Sequence, residues 1–77
     1  MNARQELQAL EQDPEIVVSV EFLGRGICQA QIGDITHGYR EIGKVNGFTA
    51  AVEWLENKAR QIYPDSKYVQ SVSALPR

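Results

Sequence analysis

Residues 47–63, the longest amphipathic segment, constrain the fold of this chain more than any other feature. Apolar residues recur there at helical spacing and form one stripe, which consists of Phe48, Ala51, Val52, Leu55, Ala59 and Ile62. Pro64 follows and ends the predicted helix. A chain of 77 residues supports only one small core, so the stripe must be covered by the rest of the same domain, residues 1–77.

The residues that precede this helix alternate between apolar and polar side chains, as β-strands do. In residues 15–23 the alternation places Ile16, Val18, Val20 and Phe22 on one face. Residues 27–32 alternate again, and residues 35–42 are predicted to form a third strand. Gly24-Arg25 and Gly33-Asp34 are suited to two-residue hairpin turns, so we expect an antiparallel meander over residues 15–42.

The two ends of the chain complete the predicted fold. Strong helix formers predict a short helix over residues 2–12, which Asp13-Pro14 ends. A fourth strand over residues 67–73 is left open, because Val69 and Val72 do not share strand parity. We therefore expect a small α+β two-layer sandwich, in the order α-β-β-β-α with an optional final β, whose long helix packs on a three-stranded antiparallel meander.

Charge and cysteine content exclude several classes of protein. The formal net charge is −2, whereas a dedicated nucleic-acid binder usually has a basic excess. Cys28 is the single cysteine, so no internal disulfide forms, which fits a reducing compartment. No apolar run approaches the roughly 20 residues of a membrane span, and the first residues have no apolar signal core. We expect a cytoplasmic protein that does not enter a membrane.

The loop before the long helix, GKVNGF at residues 43–48, has the glycines and lysine of a phosphate-binding loop in the wrong order. Lys44 comes before the second glycine, and no Ser or Thr follows it. A weaker anion contact by Lys44, Asn46 and Gly47 at the helix N-terminus remains open. The simpler alternative is that Asn46 is the N-cap and Gly47 leads the chain into the helix.

Catalytic and metal-binding patterns are weak in this sequence. Cys28 and His37 are the only cysteine and histidine, and adjacent strands could bring them together as a nucleophile and base. However, Cys28 shares a predicted face with Ala30 and Ile32, and buried cysteines are usually inert. A structural zinc site takes four ligands. We therefore expect no catalytic residues, no metal and no cofactor.

Two predicted surfaces remain as candidates for partner binding. Trp54, the only tryptophan, lies about 110° from the centre of the apolar stripe and shares a helix flank with Lys58 and Gln61. The second surface is the exposed strand face that carries Gln29 and Gln31. An alternative for Trp54 is burial beneath the N-terminal helix, because a large aromatic side chain is usually mostly buried.

The order of elements over residues 2–63 resembles the double-stranded-RNA-binding domain. That family has a basic cluster at the start of its last helix, and the matching stretch here, VNGFTAAVE at residues 45–53, has no lysine or arginine. The size, mild acidity and element order are also similar to those of small phage-encoded inhibitors, including some anti-CRISPR proteins. Both resemblances concern the order of elements and not a sequence motif.

The main prediction is a non-enzymatic protein-binding module, such as an adaptor, regulator or inhibitor, of bacterial or phage origin. Homodimerisation through the same surface is a variant of this prediction. The alternative is a nucleic-acid-binding domain that lacks the basic cluster. In that case the phosphates would be met by Arg25, Arg40, Lys44, Lys58 and Arg60.

Overall fold

A computed structural model describes residues 2–34 and 39–73 of the chain. It contains α1 (Ala3–Gln12), β1 (Val18–Gly24), β2 (Ile27–Asp34), β3 (Tyr39–Asn46), α2 (Phe48–Ile62) and α3 (Lys67–Ser73). The strands form one antiparallel sheet in the order β1-β2-β3, and α2 packs on β2 and β3. The predicted α+β class, with a three-stranded meander covered by a long helix, is confirmed.

The core lies between α2 and one face of the sheet. The buried residues of α2 are Ala51, Val52, Leu55 and Ala59, all from the predicted stripe. Cys28, Ala30 and Ile32 of β2 are buried on the facing side of the sheet. Leu10 of α1 and Ile16 close the core from the N-terminal segment. This side of the sheet is called the inner face below.

Reciprocal capping hydrogen bonds stabilise the N-terminus of α1. The side chain of Asn2 accepts a hydrogen bond from the Gln5 backbone N–H at 2.9 Å, and the Gln5 side chain accepts one from the Asn2 N–H at 3.0 Å. This capping box satisfies two amides that have no partner within the helix. It fixes the start of α1, which then packs against α2.

The hairpin between β1 and β2 turns one residue later than predicted. Gly24 pairs with Ile27, so Arg25-Gly26 is the two-residue loop. Arg25 and Gly26 have φ of 55° and 77°, which is the all-positive pattern of a type I′ turn. A bulge between Phe22 and Gly24 absorbs the shift.

The predicted turn at Gly33-Asp34 is wrong, because both residues belong to β2. Gly33 pairs with Arg40, and its N–H donates to the Val17 carbonyl at 2.8 Å. The third strand is therefore β3, Tyr39–Asn46, and it extends four residues beyond the predicted end at residue 42. Residues 35–38, where that strand was expected to start, lie outside the described part of the chain.

The optional fourth strand over residues 67–73 is also wrong, because this segment is the helix α3. Ser66 caps α3: its Oγ accepts a hydrogen bond from the Val69 N–H at 3.3 Å. The Asp13 carboxylate accepts a second one from the Tyr68 N–H at 2.8 Å. Two acceptors at one helix end outweigh the β-propensity of the Tyr-Val pair at 68–69.

Candidate functional site

The side of the sheet that faces away from α2, called the outer face below, is open to solvent. Strand register assigns its members, because side chains alternate between faces and pair across strands. On β1 and β2 the outer face comprises Ser19, Glu21, Ile27, Gln29 and Gln31. Leu23 has no cross-strand partner because it lies at the bulge, and the alternation of β1 places it on the same side as Glu21. On β3 it comprises Arg40, Ile42, Lys44 and Asn46. The candidate residues Gln29 and Gln31 therefore lie on the central strand of this face, as predicted from the alternation.

Three apolar side chains of the outer face are exposed to an unusual degree. Leu23 is 45%, Ile27 36% and Ile42 44% exposed. Apolar side chains that are scattered singly over a surface need no explanation, but a group on one sheet face often marks an interaction site. The two glutamines lie between them and offer both donors and acceptors. The outer face thus combines apolar contact area with hydrogen-bonding groups.

Trp54 lies on the other side of the sheet and packs onto the inner face of β3. A Cβ atom on Gly43 would lie 2.5 Å from the indole Cε2 of Trp54, so the indole sits directly against the Gly43 backbone. Gly43 is the residue that makes this approach sterically allowed. Trp54 is half-buried and packs against the core.

Lys58, on the same flank of α2, also contacts β3. Its Nζ lies 2.6 Å from Oε1 of Glu41, and it also lies 5.7 Å from the centroid of the Trp54 ring. Both contacts are within the range of a salt bridge and a cation–π interaction. Gln61, the third residue of the predicted flank, is exposed. Because Trp54 and Lys58 make contacts within the chain, this flank has less side-chain surface available for a partner than the sequence suggested.

The two predicted binding surfaces do not join. Trp54, Lys58 and Gln61 belong to α2, which covers the inner face, whereas Gln29 and Gln31 lie on the outer face. The sheet separates them, so one partner contact of ordinary size cannot use both. Of the two surfaces, the outer face carries the exposed large apolar side chains Leu23, Ile27 and Ile42.

The residues of the predicted anion contact do not lie together either. Gly47, with φ of 95°, is the N-cap of α2, so the predicted N-cap at Asn46 is wrong. Asn46 is the last residue of β3 and, like Lys44, lies on the outer face. The Gly47 N–H already donates to the Gly26 carbonyl at 2.7 Å. Lys44 therefore points away from the sheet face on which α2 begins.

An aromatic pair lies at the end of the sheet near the first hairpin, and one of its two rings is exposed. Phe22 of β1 is 70% exposed, and its ring stacks on Phe48 at the start of α2. The ring centroids are 6.0 Å apart and the planes are 11° from parallel. The alternation predicted that Phe22 shares a strand face with Val18 and Val20, but it is not buried like that face of β2, because β1 is an edge strand and α2 covers mainly β2 and β3.

A cluster of polar side chains that the sequence did not indicate joins the three helices. Glu56 of α2 is hydrogen-bonded with Glu6 of α1 and with the hydroxyl of Tyr68 of α3. Burial is the main cause that raises the pKa of Glu56 to about 7, and the hydrogen bond and charge of Glu6 raise it further. The charge of Arg60 lowers the same pKa. Burial, followed by the charge of Glu56, also raises the pKa of Tyr68 to about 12.

The proposed Cys28–His37 pair cannot be assembled from the described residues. Cys28 is free and only 2% exposed, beneath α2, whereas His37 lies outside the described part of the chain. Within residues 2–34 and 39–73, no group of three His, Cys, Asp or Glu side chains is arranged to hold a metal ion. Nor is any helix in those ranges long and apolar enough to cross a membrane.

Comparisons with known proteins add no further information about the site. No protein-family model, no curated protein and no solved structure matches the chain. Functional inference therefore depends on the geometry of the two sheet faces and of the helices that cover one of them.

Proposed function

We propose that this chain is a non-enzymatic protein-binding module, an adaptor, regulator or inhibitor, and that its outer sheet face is the binding surface. The observation that carries the proposal is the set of exposed apolar side chains Leu23, Ile27 and Ile42 on that face. An antiparallel sheet whose second face only meets water normally carries polar residues there. Protein interfaces combine apolar contacts with hydrogen bonds, and on this face the apolar side chains lie around the hydrogen-bonding groups of Gln29 and Gln31.

The contacts on the opposite side of the sheet support this choice of surface. Trp54 is packed against Gly43, and Lys58 is paired with Glu41, so both stabilise the attachment of α2 to β3. Both side chains therefore have a structural role within the chain. The outer face belongs to a sheet that packs on the core with its other side, so binding need not order its backbone and should cost little conformational entropy.

The location that fits this proposal is the cytoplasm. Cys28 is free and buried in the core. A chain whose one thiol stays reduced is compatible with a reducing compartment, where cysteines rarely form disulfides.

The proposal is tested by placing a charge on the outer face. In Ile42→Asp, a carboxylate replaces an apolar side chain that is 44% exposed, so the fold should tolerate the change. Phe22→Asp is the matched control, because it places the same charge on an exposed residue of the other face. Tagged wild-type and variant proteins are used to capture partners from lysate of the native host, with quantitative mass spectrometry.

We expect a protein that is captured by the wild type and by Phe22→Asp, and is lost with Ile42→Asp. Calorimetric titration with the purified partner should then give at least about a tenfold weaker Kd for Ile42→Asp, because a charge replaces an apolar contact within the interface. Capture that is equal for all three proteins would show that the outer face is not the binding surface.

A further inference from the structure

Two charges of the outer face, those of Glu21 and Lys44, are arranged so that this part of the face complements itself. Arg40, the other cation of the face, lies opposite Gly33 in a separate row and takes no part in this pairing. Glu21 pairs with Gln29, and Gln29 pairs with Lys44, so these residues form one row across the sheet. The row has a carboxylate at the β1 edge and an ammonium at the β3 edge. With a strand spacing of about 4.8 Å, the two charged residues stand roughly 10 Å apart, one on each side of the central strand.

A second copy can cover this face about a twofold axis that brings Glu21 and Lys44 of the two copies together. If the axis is parallel to the strands, β1 of one copy lies over β3 of the other, and Glu21 meets Lys44 twice. The central strands then lie over each other, so Ile27 and Gln29 each meet their own counterpart. If the axis is perpendicular to the strands and passes along this row, Glu21 meets Glu21 and Lys44 meets Lys44, and repulsion disfavours that arrangement.

We propose that the outer face binds a second copy of this chain, sheet against sheet, about a twofold axis parallel to the strands. The inference rests on the proposed function, because it names the partner of the same surface. Such an interface is isologous, as most homodimer interfaces are, and the aligned packing of two sheets is a common way to bury their faces.

The size of the face sets the expected strength of the dimer. Strands of seven or eight residues are roughly 25 Å long, and three strands are roughly 14 Å wide. This footprint is smaller than the ~800 Å² that each partner contributes to a standard interface. We therefore expect a reversible dimer with a Kd on the order of 10–100 μM.

The first measurement is sedimentation equilibrium of the wild-type chain over a concentration series that reaches millimolar. The average mass should rise from 8.6 kDa towards twice that value. A mass that stays at 8.6 kDa at every concentration overturns the second-copy proposal. That result leaves the proposed function intact if Ile42→Asp still loses a captured protein of a different kind, so the two failures can be told apart.

Charge reversal tests the orientation of the dimer. In Glu21→Lys alone, lysine meets lysine at both contacts, and in Lys44→Glu alone, glutamate meets glutamate. Each single variant should associate at least about tenfold more weakly than the wild type, because attraction becomes repulsion twice. Both residues are exposed, so each variant should keep the fold, and circular dichroism is used to check this.

The decisive experiment is to mix the two single variants. In the mixed pair, both contacts join a lysine of the Glu21→Lys copy to a glutamate of the Lys44→Glu copy, so the heterodimer should recover wild-type affinity. The double variant, Glu21→Lys with Lys44→Glu, should also recover it. Single variants that associate as well as the wild type, or a mixture that remains monomeric, would overturn the proposed orientation.

Discussion

The cluster at Glu56 makes the stability of the fold depend on pH in a direction opposite to that of most carboxylates. Its pKa is raised from 4.5 to about 7 in the folded protein, so the folded state favours the protonated carboxyl. This contribution to stability is complete below about pH 4.5 and is lost as the pH rises through about 7. Above that pH, folding must place the ionised carboxylate next to Glu6.

The magnitude follows from the size of the pKa shift. At 1.36 kcal/mol per pKa unit, a rise from 4.5 to about 7 corresponds to about 3 kcal/mol. Glu56 is only partly buried, and solvent screens the charge of Glu6, so we reduce the expected effect to about 1–2 kcal/mol. For a domain of this size, that is a large fraction of the total stability.

The perturbation that isolates this effect is Glu56→Gln, which keeps the shape and the neutral form of the side chain. Urea unfolding at pH 5 and pH 8 gives the free energy of unfolding of each protein. We expect the wild type to lose about 1–2 kcal/mol between the two pH values relative to Glu56→Gln. Glu53→Gln is the matched control, because Glu53 is an exposed carboxylate of the same helix.

Unfolding curves of Glu56→Gln that follow the wild type at both pH values would refute this account of the cluster. A Glu56→Gln protein that is less stable than the wild type at pH 8 would refute it too, because then the ionised carboxylate would stabilise the fold. A change that Glu53→Gln reproduces would indicate an effect of net charge and not of the contact between the helices.

Three further expectations follow from contacts described above. Gly43→Ala should destabilise the protein by about 1–3 kcal/mol in urea unfolding, because its Cβ overlaps the indole, and should cost little in a Trp54→Ala background. A full cost in that background would rule out the steric explanation. Asp13→Ala should lower the free energy of unfolding by about 1–2 kcal/mol through loss of two backbone hydrogen bonds, and Asp13→Asn by less. An unchanged Asp13→Ala would show that α3 does not depend on this cap. In fluorescence anisotropy, we expect no salt-dependent binding of labelled double-stranded RNA. Binding that weakens steeply as the salt concentration rises would favour the nucleic-acid alternative.

The sequence predicts those parts of the fold that depend on periodicity. The stripe of α2 and the alternation of β2 both identify buried residues correctly, as Leu55 and Ile32 show. Phe22 has the same alternation as Val20 but is 70% exposed, because its strand is at the edge of the sheet. Periodicity reports which side chains share a face, and it does not report how far the opposing layer extends.

The errors arise where a distant residue or a glycine decides the local structure. Asp13 caps α3 from 55 positions away, and no local pattern in residues 67–73 contains that information. Gly33 was taken for a turn residue, yet its φ of 93° is accommodated within β2. Glycine is compatible with both structures, so the end of a strand at glycine is hard to predict.

The positions of the candidate binding residues could be predicted in part from the sequence. Alternation correctly placed Gln29 and Gln31 on the face away from α2. The helical angle of Trp54 correctly indicated a flank of α2 but not what that flank meets. The missed signal was Gly43, because glycine within a strand often marks the close approach of another group. The contact of Glu56 with Glu6 required the packing of two helices whose separation in sequence gives no indication of it.

The proposed dimer and the small size of the chain are linked through stability. A domain of 77 residues that covers only one face of its sheet buries little apolar surface, so its folding free energy is small. Association through the outer face would stabilise the folded chain by mass action, and the unfolding midpoint should then rise with protein concentration. Lys44→Glu should remove this dependence and leave the midpoint at low concentration unchanged. If the midpoint of the wild type is independent of concentration up to millimolar, the outer face contributes nothing to stability through self-association.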